Sequence, residues 1–365
     1  MEGIYRHFCI LKIKSKYHIE TGFERGLIMA TIYDIAKMCG LSPATVSKAL
    51  SGASDVSMAT RNKIRQIASS VDYIPDGRAK GLSQNRTWTI GVLCQDGSEM
   101  GLRHYLFAEI IESFKSVVER HGYDIFFTSN QLGKMGLTYY GHCRYRRADG
   151  VFIINTNHQS SEAKELMDSE LPKVAIDYSN ASISGVMTDC DKSMALLYNH
   201  LFDLGHRNIA YMHGEENKYV TDKRIKGLKK AMAKRGQAFR PDLLIQSKYY
   251  SIQGGYQSMI EVLKRPDRPT AVIASDDYSA VGAIQAVRDR GLSVPEDISV
   301  VGFDGIEITQ LFSPRLTTIR QDTTGMGAKA AECLIKQILG VDRAKPENII
   351  LEPQLLIGNS SGRIR

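Results

Sequence analysis

Residues 31–50 contain two short helical patterns joined by a glycine turn, and this arrangement constrains the start of the fold more than any other feature. Thr31 and Asp34 form a short Thr-x-x-Asp capping box at the beginning of the first helix. Gly40 supplies the backbone freedom that a tight turn needs. Ser42 is a favourable N-cap, and Pro43 occupies the first helical position, where proline is preferred. The pattern therefore predicts a helix, a sharp turn and a second helix.

The second helix is predicted to expose a surface of small side chains. Three helices, including one over residues 57–71, would direct their apolar residues inward: Ile32, Ile35, Ala36, Val46, Leu50, Ile64, Ile67, Ala68 and Val71. The residues expected to point away from this core are Pro43, Ala44, Thr45, Ser47 and Lys48. Such a plan is typical of the helix-turn-helix motif, which places its second helix in a DNA major groove. The alternative is an ordinary helical hairpin inside a core.

Positive charge is concentrated in the first quarter of the chain. Residues 29–88 contain eight lysines and arginines against four acidic residues, whereas residues 89–365 contain 34 against 33. A basic head on a near-neutral body is expected of a DNA-binding protein. The six cysteines are scattered without a C-x-x-C pair, which favours reduced thiols in a cytoplasmic protein. No apolar run is long enough to span a membrane.

Residues 1–28 do not continue the pattern and lack the apolar segment of a signal peptide. We expect them to be a non-native or disordered extension, with translation starting at Met29. Glu24, Arg25 and Gly26 can be encoded by purine-rich codons, which would place a ribosome-binding sequence shortly before Met29. The alternative is a genuine basic arm that touches DNA.

From Thr89 onward, apolar strand patterns alternate with amphipathic helices, which predicts parallel sheets covered by helices. The predicted strands are 89–93, 123–127, 150–154, 173–177, 209–213, 244–246, 271–274 and 299–303. Phe107–Arg120 is the strongest intervening helix. There are too many strands for one ordinary sheet, and a break near Asp189 indicates two lobes.

Ligands of open α/β sheets bind at the carboxyl ends of the strands, and several polar residues occupy these positions. Asp276, Asp277 and Asp304 follow predicted strands, and Arg224 begins a helix after another. The accompanying aromatic residues are Phe107, Tyr178 and Tyr250. Carboxylates, an arginine and aromatic faces suit a small polar ring such as a sugar, and they favour a nucleobase less. For Arg224, which lies beside Lys223 and Lys226, the alternative is an exposed basic helix face.

No motif predicts catalysis, a cofactor or a metal site. Gly325–Ala330 imitates a dinucleotide-binding G-x-G-x-x-A, but a helix start explains it better. His142 and Cys143 lack companion ligands at a useful spacing.

The chain after Met29 resembles the lactose/galactose repressor family of bacterial regulators. The residues that carry the likeness are Thr31–Lys37, Ala44–Ser47, Thr60-Arg61 and Tyr73–Pro75, and the likeness continues to about residue 358. The resemblance implies an α/β protein with an all-α helix-turn-helix head and a two-lobed, doubly wound body like the periplasmic sugar-binding proteins. It also implies domains at 29–75 (head), 76–88 (hinge), 89–188 with 321–350 (first lobe) and 189–320 with 351–365 (second lobe).

The resemblance further implies how the parts act. In the family the hinge becomes a helix on DNA and inserts a leucine, matched here by Leu82, into the minor groove; a plain linker is the alternative. DNA-binding candidates are thus Thr31, Ser42, Pro43, Ala44, Thr45, Ser47, Lys48 and Leu82. Family positions for effector contact match Phe107, Arg224, Tyr250, Asp276 and Asp304, whereas Asp189 is expected to serve the interlobe hinge.

Together these features predict a homodimeric transcriptional regulator, expected to act as a repressor. It would bind a near-palindromic operator in double-stranded DNA under the control of a small effector, expected to be a carbohydrate. Effector binding would either disorder the hinge or secure it. The alternative function is that of a solute-binding protein without regulatory DNA binding.

Overall fold

A computed structural model describes residues 30–74, 86–94, 101–215, 219–341 and 346–364. The chain divides into two compact units, the first ending at Thr87 and the second beginning at Trp88. No helix within the described ranges is both long and apolar enough to span a bilayer.

The described part of the first unit contains three helices: α1 (Ile32–Cys39), α2 (Pro43–Leu50) and α3 (Met58–Ser70). The predicted capping box is present, since the Thr31 hydroxyl accepts from the Asp34 N–H at 3.3 Å and the Asp34 carboxylate accepts from the Thr31 N–H at 2.8 Å. Gly40 ends α1 with φ +67°, the left-handed conformation that glycine adopts at little cost. Local sequence signals therefore define both ends of α1.

The core of the head lies where the three helices meet. Its fully buried side chains are Ile35, Val46, Ala49 and Ile64. Ala49 was not among the residues predicted to face inward, and the predicted Leu50 is only partly buried. A small residue at this position lets α2 lie close to its neighbours while its opposite face stays exposed.

The first lobe of the second unit is built on a six-stranded parallel sheet. Its strands, in spatial order, are β13 (Asn348–Leu351), β7 (Ser184–Thr188), β6 (Lys173–Ile176), β5 (Gly150–Ile154), β1 (Thr89–Cys94) and β2 (Asp124–Phe127). Its helices are α4 (Tyr105–Arg120), α5 (Tyr139–Arg146), α6 (Ser161–Asp168) and α11 (Thr323–Leu339). Gln131–Leu132 (β3) and Met135–Gly136 (β4) form a small separate hairpin. Apolar clusters cover both faces of the sheet.

The second lobe repeats the plan with one antiparallel edge. Its sheet has the order β14 (Gln354–Leu356), β12 (Thr317–Arg320), β11 (Ser299–Asp304), β10 (Ala271–Ile273), β8 (Ile209–His213) and β9 (Leu244–Gln246). The edge strand β14 runs antiparallel to its neighbour β12. The helices of this lobe are α7 (Cys190–Asp203), α8 (Tyr219–Lys234), α9 (Ile252–Leu263) and α10 (Asp277–Asp289).

The chain passes between the two sheets at three places, which we call the crossings. The first lies at Asp189, between β7 and α7, the second at Gln321 and Asp322, between β12 and α11, and the third between β13 and β14. The Asp189 side chain caps α7 by accepting from the Lys192 N–H at 2.9 Å. Its backbone N–H donates to the carbonyl of Leu351, which joins the first crossing to the third.

The glycines of the G-x-G-x-x-A sequence serve helix packing. Asp322 caps α11 by accepting from the Gly325 N–H at 2.8 Å. A Cβ atom on Gly327 would stand only 2.3 Å from the carbonyl oxygen of Ile110 in α4. The sequence is therefore a helix start that packs closely against another helix.

Candidate functional site

The exposed face of α2 is the candidate DNA interface. Ala44, Ser47 and Lys48 are exposed, whereas Pro43 and Thr45 are half-buried. The Ser42 hydroxyl accepts from the Thr45 N–H at 3.2 Å and lies 2.9 Å from the Thr45 hydroxyl, so both side chains take part in the helix cap. The predicted reading surface thus consists of two small side chains and one long cation.

Lys48 has a partner within the head. Its ammonium lies 2.5 Å from the carboxylate of Asp55, and both side chains are more than half exposed. The hydrogen bond from Lys48 lowers the pKa of Asp55. Lys48 is one of the predicted DNA-binding residues, and it can contact the groove only by giving up or sharing Asp55.

Two further residues, Thr31 and Leu82, were predicted to bind DNA. The Thr31 hydroxyl donates to Asp34 at 2.7 Å within the capping box of α1. Leu82 lies outside the described residues, so the predicted wedge remains a prediction.

In the body, Arg224 is a buried cation at the cleft between the lobes. It lies in the second turn of α8 and is only 4% exposed. Its Nη1 donates to the carbonyl of Ser275 at 2.6 Å, and its guanidinium carbon lies 3.5 Å from the centre of the Phe303 ring. The alternative of an exposed basic helix face is therefore wrong for Arg224.

Asp304 ends β11 with φ +116° and is 3% exposed. Its Oδ1 accepts from Gln321 Nε2 at 2.7 Å, while its Oδ2 is buried without a hydrogen-bond partner among the described residues. Burial raises the pKa of Asp304 well above its usual range, although the nearby charge of Arg224 opposes this. A buried acceptor without a partner is costly, and a ligand that bonds to it removes that cost.

Asp276 is fully buried and engaged by the protein's own donors. It caps α10, where its Oδ1 accepts from the Ser279 N–H at 2.8 Å. Its Oδ2 accepts from the Tyr250 N–H and from the hydroxyls of Ser275 and Ser279, each at 2.9 Å. This carboxylate therefore positions Tyr250 and the start of α10.

Asp277 is also fully buried and lies against β11 and β12. It accepts from the Thr318 hydroxyl at 2.5 Å and from the Ile306 N–H at 2.8 Å. Its burial raises its pKa to about 7. Both of its oxygens are thus used to join the elements of the second lobe.

Aromatic rings from both lobes meet beside Arg224 and Asp304. Phe107 and His104, at the start of α4, lie 5.2 and 4.2 Å from the ring of Tyr250 across the cleft. Tyr250 has φ +57°, which directs the chain sharply at this point. Tyr278 completes the group at 5.3 Å from His104.

Tyr178 belongs to a second aromatic contact between the lobes. Its ring stacks on His158 at 3.8 Å and lies 5.3 Å from Tyr219, the first residue of α8. Ser179 and Tyr219 join their hydroxyls at 2.9 Å. Tyr178 and Ser179 therefore join the segment after β6 in the first lobe to the start of α8 in the second.

Asp177 is a further candidate for the site that was not among the residues predicted from the sequence. It follows β6 with φ +56°, and loss of hydration raises its pKa to about 6 against the charges of Arg224 and Lys223. The rule that singled out Asp276 applies to Asp177 too, because it follows the carboxyl end of a strand. The predicted strand 173–177 included Asp177, so this residue was not recognised as one that follows the end of a strand.

The described ranges hold no group of three side chains that could bind a metal ion. The Nδ1 atom of His142 accepts from the Ser129 N–H at 2.9 Å, and Cys143 is buried behind it. Both residues contribute to the packing of α5 against the first sheet.

Comparisons with known proteins agree with this arrangement. Residues 31–76 match the bacterial regulatory proteins of the lacI family, and residues 198–361 match the periplasmic binding protein-like domain. The chain is 32% identical to the HTH-type transcriptional repressor PurR of Histophilus somni over 337 residues, which is 91% of this chain and 99% of the relative. PurR of Mannheimia succiniciproducens is 31% identical over 342 residues, 92% of this chain and all of the relative.

Solved structures show the same fold. The lac repressor dimer bound to operator and the anti-inducer ONPF has 26% identity and a TM-score of 0.77, with 92% of this chain and 99% of that chain covered. A lacI-family transcriptional regulator from Enterococcus faecium with bound ribose has 25% identity and a TM-score of 0.65 over 76% of this chain and all of that chain. The predicted head and two-lobed α/β body are therefore confirmed, and the chain belongs to the lacI family of bacterial regulatory proteins.

Proposed function

We propose that this protein is a transcriptional repressor that acts in the cytoplasm by binding DNA and a small ligand, and not by catalysis. The observation that carries the proposal is the presence, in one chain, of an exposed helix-turn-helix face and a buried Arg224–Asp304 pair between two lobes. The first feature suits operator recognition, and the second suits a polar ligand.

The DNA contacts are assigned to the face around α2. Ser47 and Lys48 supply polar groups to the base edges, with Ala44 placed for a thymine methyl group. Pro43 and Thr45 border this face, while Thr31 and Ser42 hold the helix ends near the phosphates. Leu82, in the hinge, is assigned the minor-groove wedge by resemblance to the family.

The repressor is proposed to act as a homodimer on a near-palindromic operator. Ile308, Leu311 and Phe312 lie within five residues of one another and are 50, 77 and 45% exposed. A patch of large exposed apolar residues indicates a surface that another protein covers. The lac repressor, which this chain resembles, is a dimer on its operator.

The proposed effector is a carbohydrate held between the lobes. Phe107 and Tyr250 offer apolar ring surfaces, and Arg224 and Asp304 offer a donor and an acceptor beside them. Asp177 and Tyr178 border the same cleft, whereas Asp276 and Asp277 are assigned a positioning role. A nucleobase, which the site residues favour less than a sugar, is the competing effector class.

The first experiment selects DNA from a random duplex library with the purified chain. We expect a near-palindromic consensus whose binding weakens with salt, since phosphate contacts release counterions. Failure to enrich any sequence, with no salt-dependent binding, would favour a solute-binding protein without regulatory DNA binding.

The second experiment identifies the effector class by thermal shift with monosaccharides, sugar phosphates and purines. A ligand at 100 times its Kd adds about 2.7 kcal/mol to the free energy of unfolding. The proposal expects the largest shift from a carbohydrate. A shift from purines alone would replace the carbohydrate by the purine class.

The third experiment tests the wedge with Leu82→Ala. We expect operator binding, measured by fluorescence anisotropy, to weaken far more than binding to random duplex, because kinking is needed only on the specific site. Equal losses on both DNAs would contradict the wedge and favour a plain linker.

A further inference from the structure

Three buried polar side chains form a continuous hydrogen-bonded chain next to the cleft. The Thr188 hydroxyl donates to Gln321 Oε1 at 2.6 Å, and Gln321 Nε2 donates to Asp304 Oδ1 at 2.7 Å. Thr188, Gln321 and Asp304 are 2, 4 and 3% exposed. We call this chain of hydrogen bonds the relay.

The relay connects parts of the molecule that belong to different lobes. Thr188 is the last residue of β7 in the first lobe, Gln321 lies in the second crossing, and Asp304 ends β11 in the second lobe. Asp189, next to Thr188, donates its N–H to the carbonyl of Leu351 at the third crossing. The relay and this backbone hydrogen bond therefore link all three crossings.

The Gln321 amide is oriented by its two partners. Its NH₂ donates to Asp304 Oδ1, and its carbonyl accepts from the Thr188 hydroxyl. This arrangement occupies Oδ1 of Asp304 and leaves Oδ2, to which no described group donates, as the oxygen available to a ligand. A ligand that bonds to Oδ2 changes the charge that Gln321 meets at Oδ1.

We propose that Gln321 is a positioning residue that couples the carboxyl group of Asp304 to the interlobe crossings, and through them to operator affinity. The proposal rests on the repressor function proposed above. It deepens that function by naming the route by which the cleft acts on the rest of the body.

The test exchanges the amide group of Gln321 and the carboxyl group of Asp304 between the two positions. In Gln321→Glu two carboxyl groups face each other, and in Asp304→Asn two amides do. The double variant Asp304→Asn/Gln321→Glu restores one amide and one carboxylate: the amide now at position 304 donates to the carboxylate now at position 321, and Thr188 keeps its acceptor. Gln321→Met, of similar length, removes both hydrogen bonds.

Two properties are measured without added ligand: amide hydrogen exchange at Asp189 and Gln321, and affinity for the selected operator. We expect Gln321→Glu and Gln321→Met to speed exchange about tenfold at the crossings and to change the operator Kd at least about fivefold. The double variant should return both values to within about twofold of the wild type, because the effects of substitutions at two contacting residues are not additive.

Gln337→Glu is the matched control. Gln337 bonds to Ser184 and to the N–H of Lys173 within the first lobe, so its substitution introduces a carboxylate without touching the relay. We expect it to leave the exchange at the crossings and the operator Kd unchanged. The melting temperature of each variant establishes that it is folded.

The coupling is overturned if Gln321→Glu and Gln321→Met exchange and bind like the wild type. It is also overturned if the double variant departs from the wild type by the sum of its two single changes. Should the wild type itself bind no operator, the repressor function fails, and the exchange data still decide whether the relay holds the crossings.

Discussion

The guanidinium group of Arg224 lies against Phe303, with its carbon 3.5 Å from the ring centre, at the end of the strand that also carries Asp304. A cation held on an aromatic face and bonded to the Ser275 carbonyl keeps a fixed direction. The cleft therefore presents Arg224 as a preorganised donor. A substitution at Arg224 is for this reason the most direct test of the effector site.

Arg224→Met should abolish the thermal shift caused by the effector class found in the screen, while operator affinity stays within about threefold, since the apolar stem still covers Phe303. Isothermal titration and anisotropy measure the two effects. Arg207→Met is the matched control, because Arg207 lies 3.5 Å over Phe202 in the same lobe but is exposed. An unchanged effector response in Arg224→Met would remove Arg224 from the site.

Substitutions at Lys48 and at Asp55 are expected to change the affinity for DNA in opposite directions. Lys48→Ala should weaken operator binding by at least about fivefold and reduce the preference over random duplex. Asp55→Ala frees Lys48 and removes a negative charge, so binding to random duplex should tighten and its salt dependence should steepen by up to about one unit of slope. Anisotropy titrations at several salt concentrations measure both. If Asp55→Ala weakens binding to random duplex, the ion pair does not compete with DNA.

Ser42 and Ser57 form a matched pair of helix caps. Each hydroxyl accepts at 3.2 Å from the N–H of the residue three positions later, Thr45 or Thr60. Replacement by alanine should lower the free energy of unfolding of the head by about 1 kcal/mol in either case. Only Ser42→Ala should also weaken operator binding, because only Ser42 begins the proposed reading helix. Equal operator affinity for the two variants would remove Ser42 from the DNA interface.

The environment of His206 indicates that the free energy of unfolding falls in acid. Its Nε2 lies 2.9 Å from the Gly362 carbonyl and its Nδ1 lies 2.9 Å from the Thr270 hydroxyl, so the neutral ring is fully bonded. Burial lowers the pKa of His206 below 6.5. The unfolded chain therefore binds this proton at a higher pH than the folded chain, and the free energy of unfolding falls as the pH drops below about 6.5.

Urea unfolding at pH 5 and pH 7 measures this dependence. His206→Gln removes the titrating group, so the difference between the two pH values should become smaller than in the wild type. His121→Gln, at an exposed position, is the control and should leave the difference unchanged. An equal difference in wild type and His206→Gln would show that other groups cause the acid loss.

Local signals account for the parts of the fold that were predicted well. Hydrogen bonds between residues a few positions apart form the caps at Thr31 and Ser42 and the turn at Gly40. Because all of these residues are neighbours in sequence, local residue types are sufficient to predict them. Long apolar runs likewise predicted β1, β5 and β8. The strands β7, β13 and β14 were not predicted, because their short polar or mixed sequences form strands only beside neighbours distant in the chain.

The sequence by itself determined the helix-turn-helix head and the alternating α/β pattern of the body, since these depend on capping and periodicity that are local in the chain. The family was indicated by the resemblance of its motif residues to the lactose/galactose repressors. Only the tertiary structure decided which polar residues are available to a ligand. It showed that Asp276 and Asp277 are occupied by backbone and hydroxyl donors, that Asp304 retains one oxygen to which no described group donates, and that Asp177 lies within the field of Arg224. The physical reason is that a buried polar atom is available to a ligand only when no group of the protein already bonds to it. Which groups do so depends on parts of the chain that are distant in sequence, and residue spacing does not reveal them.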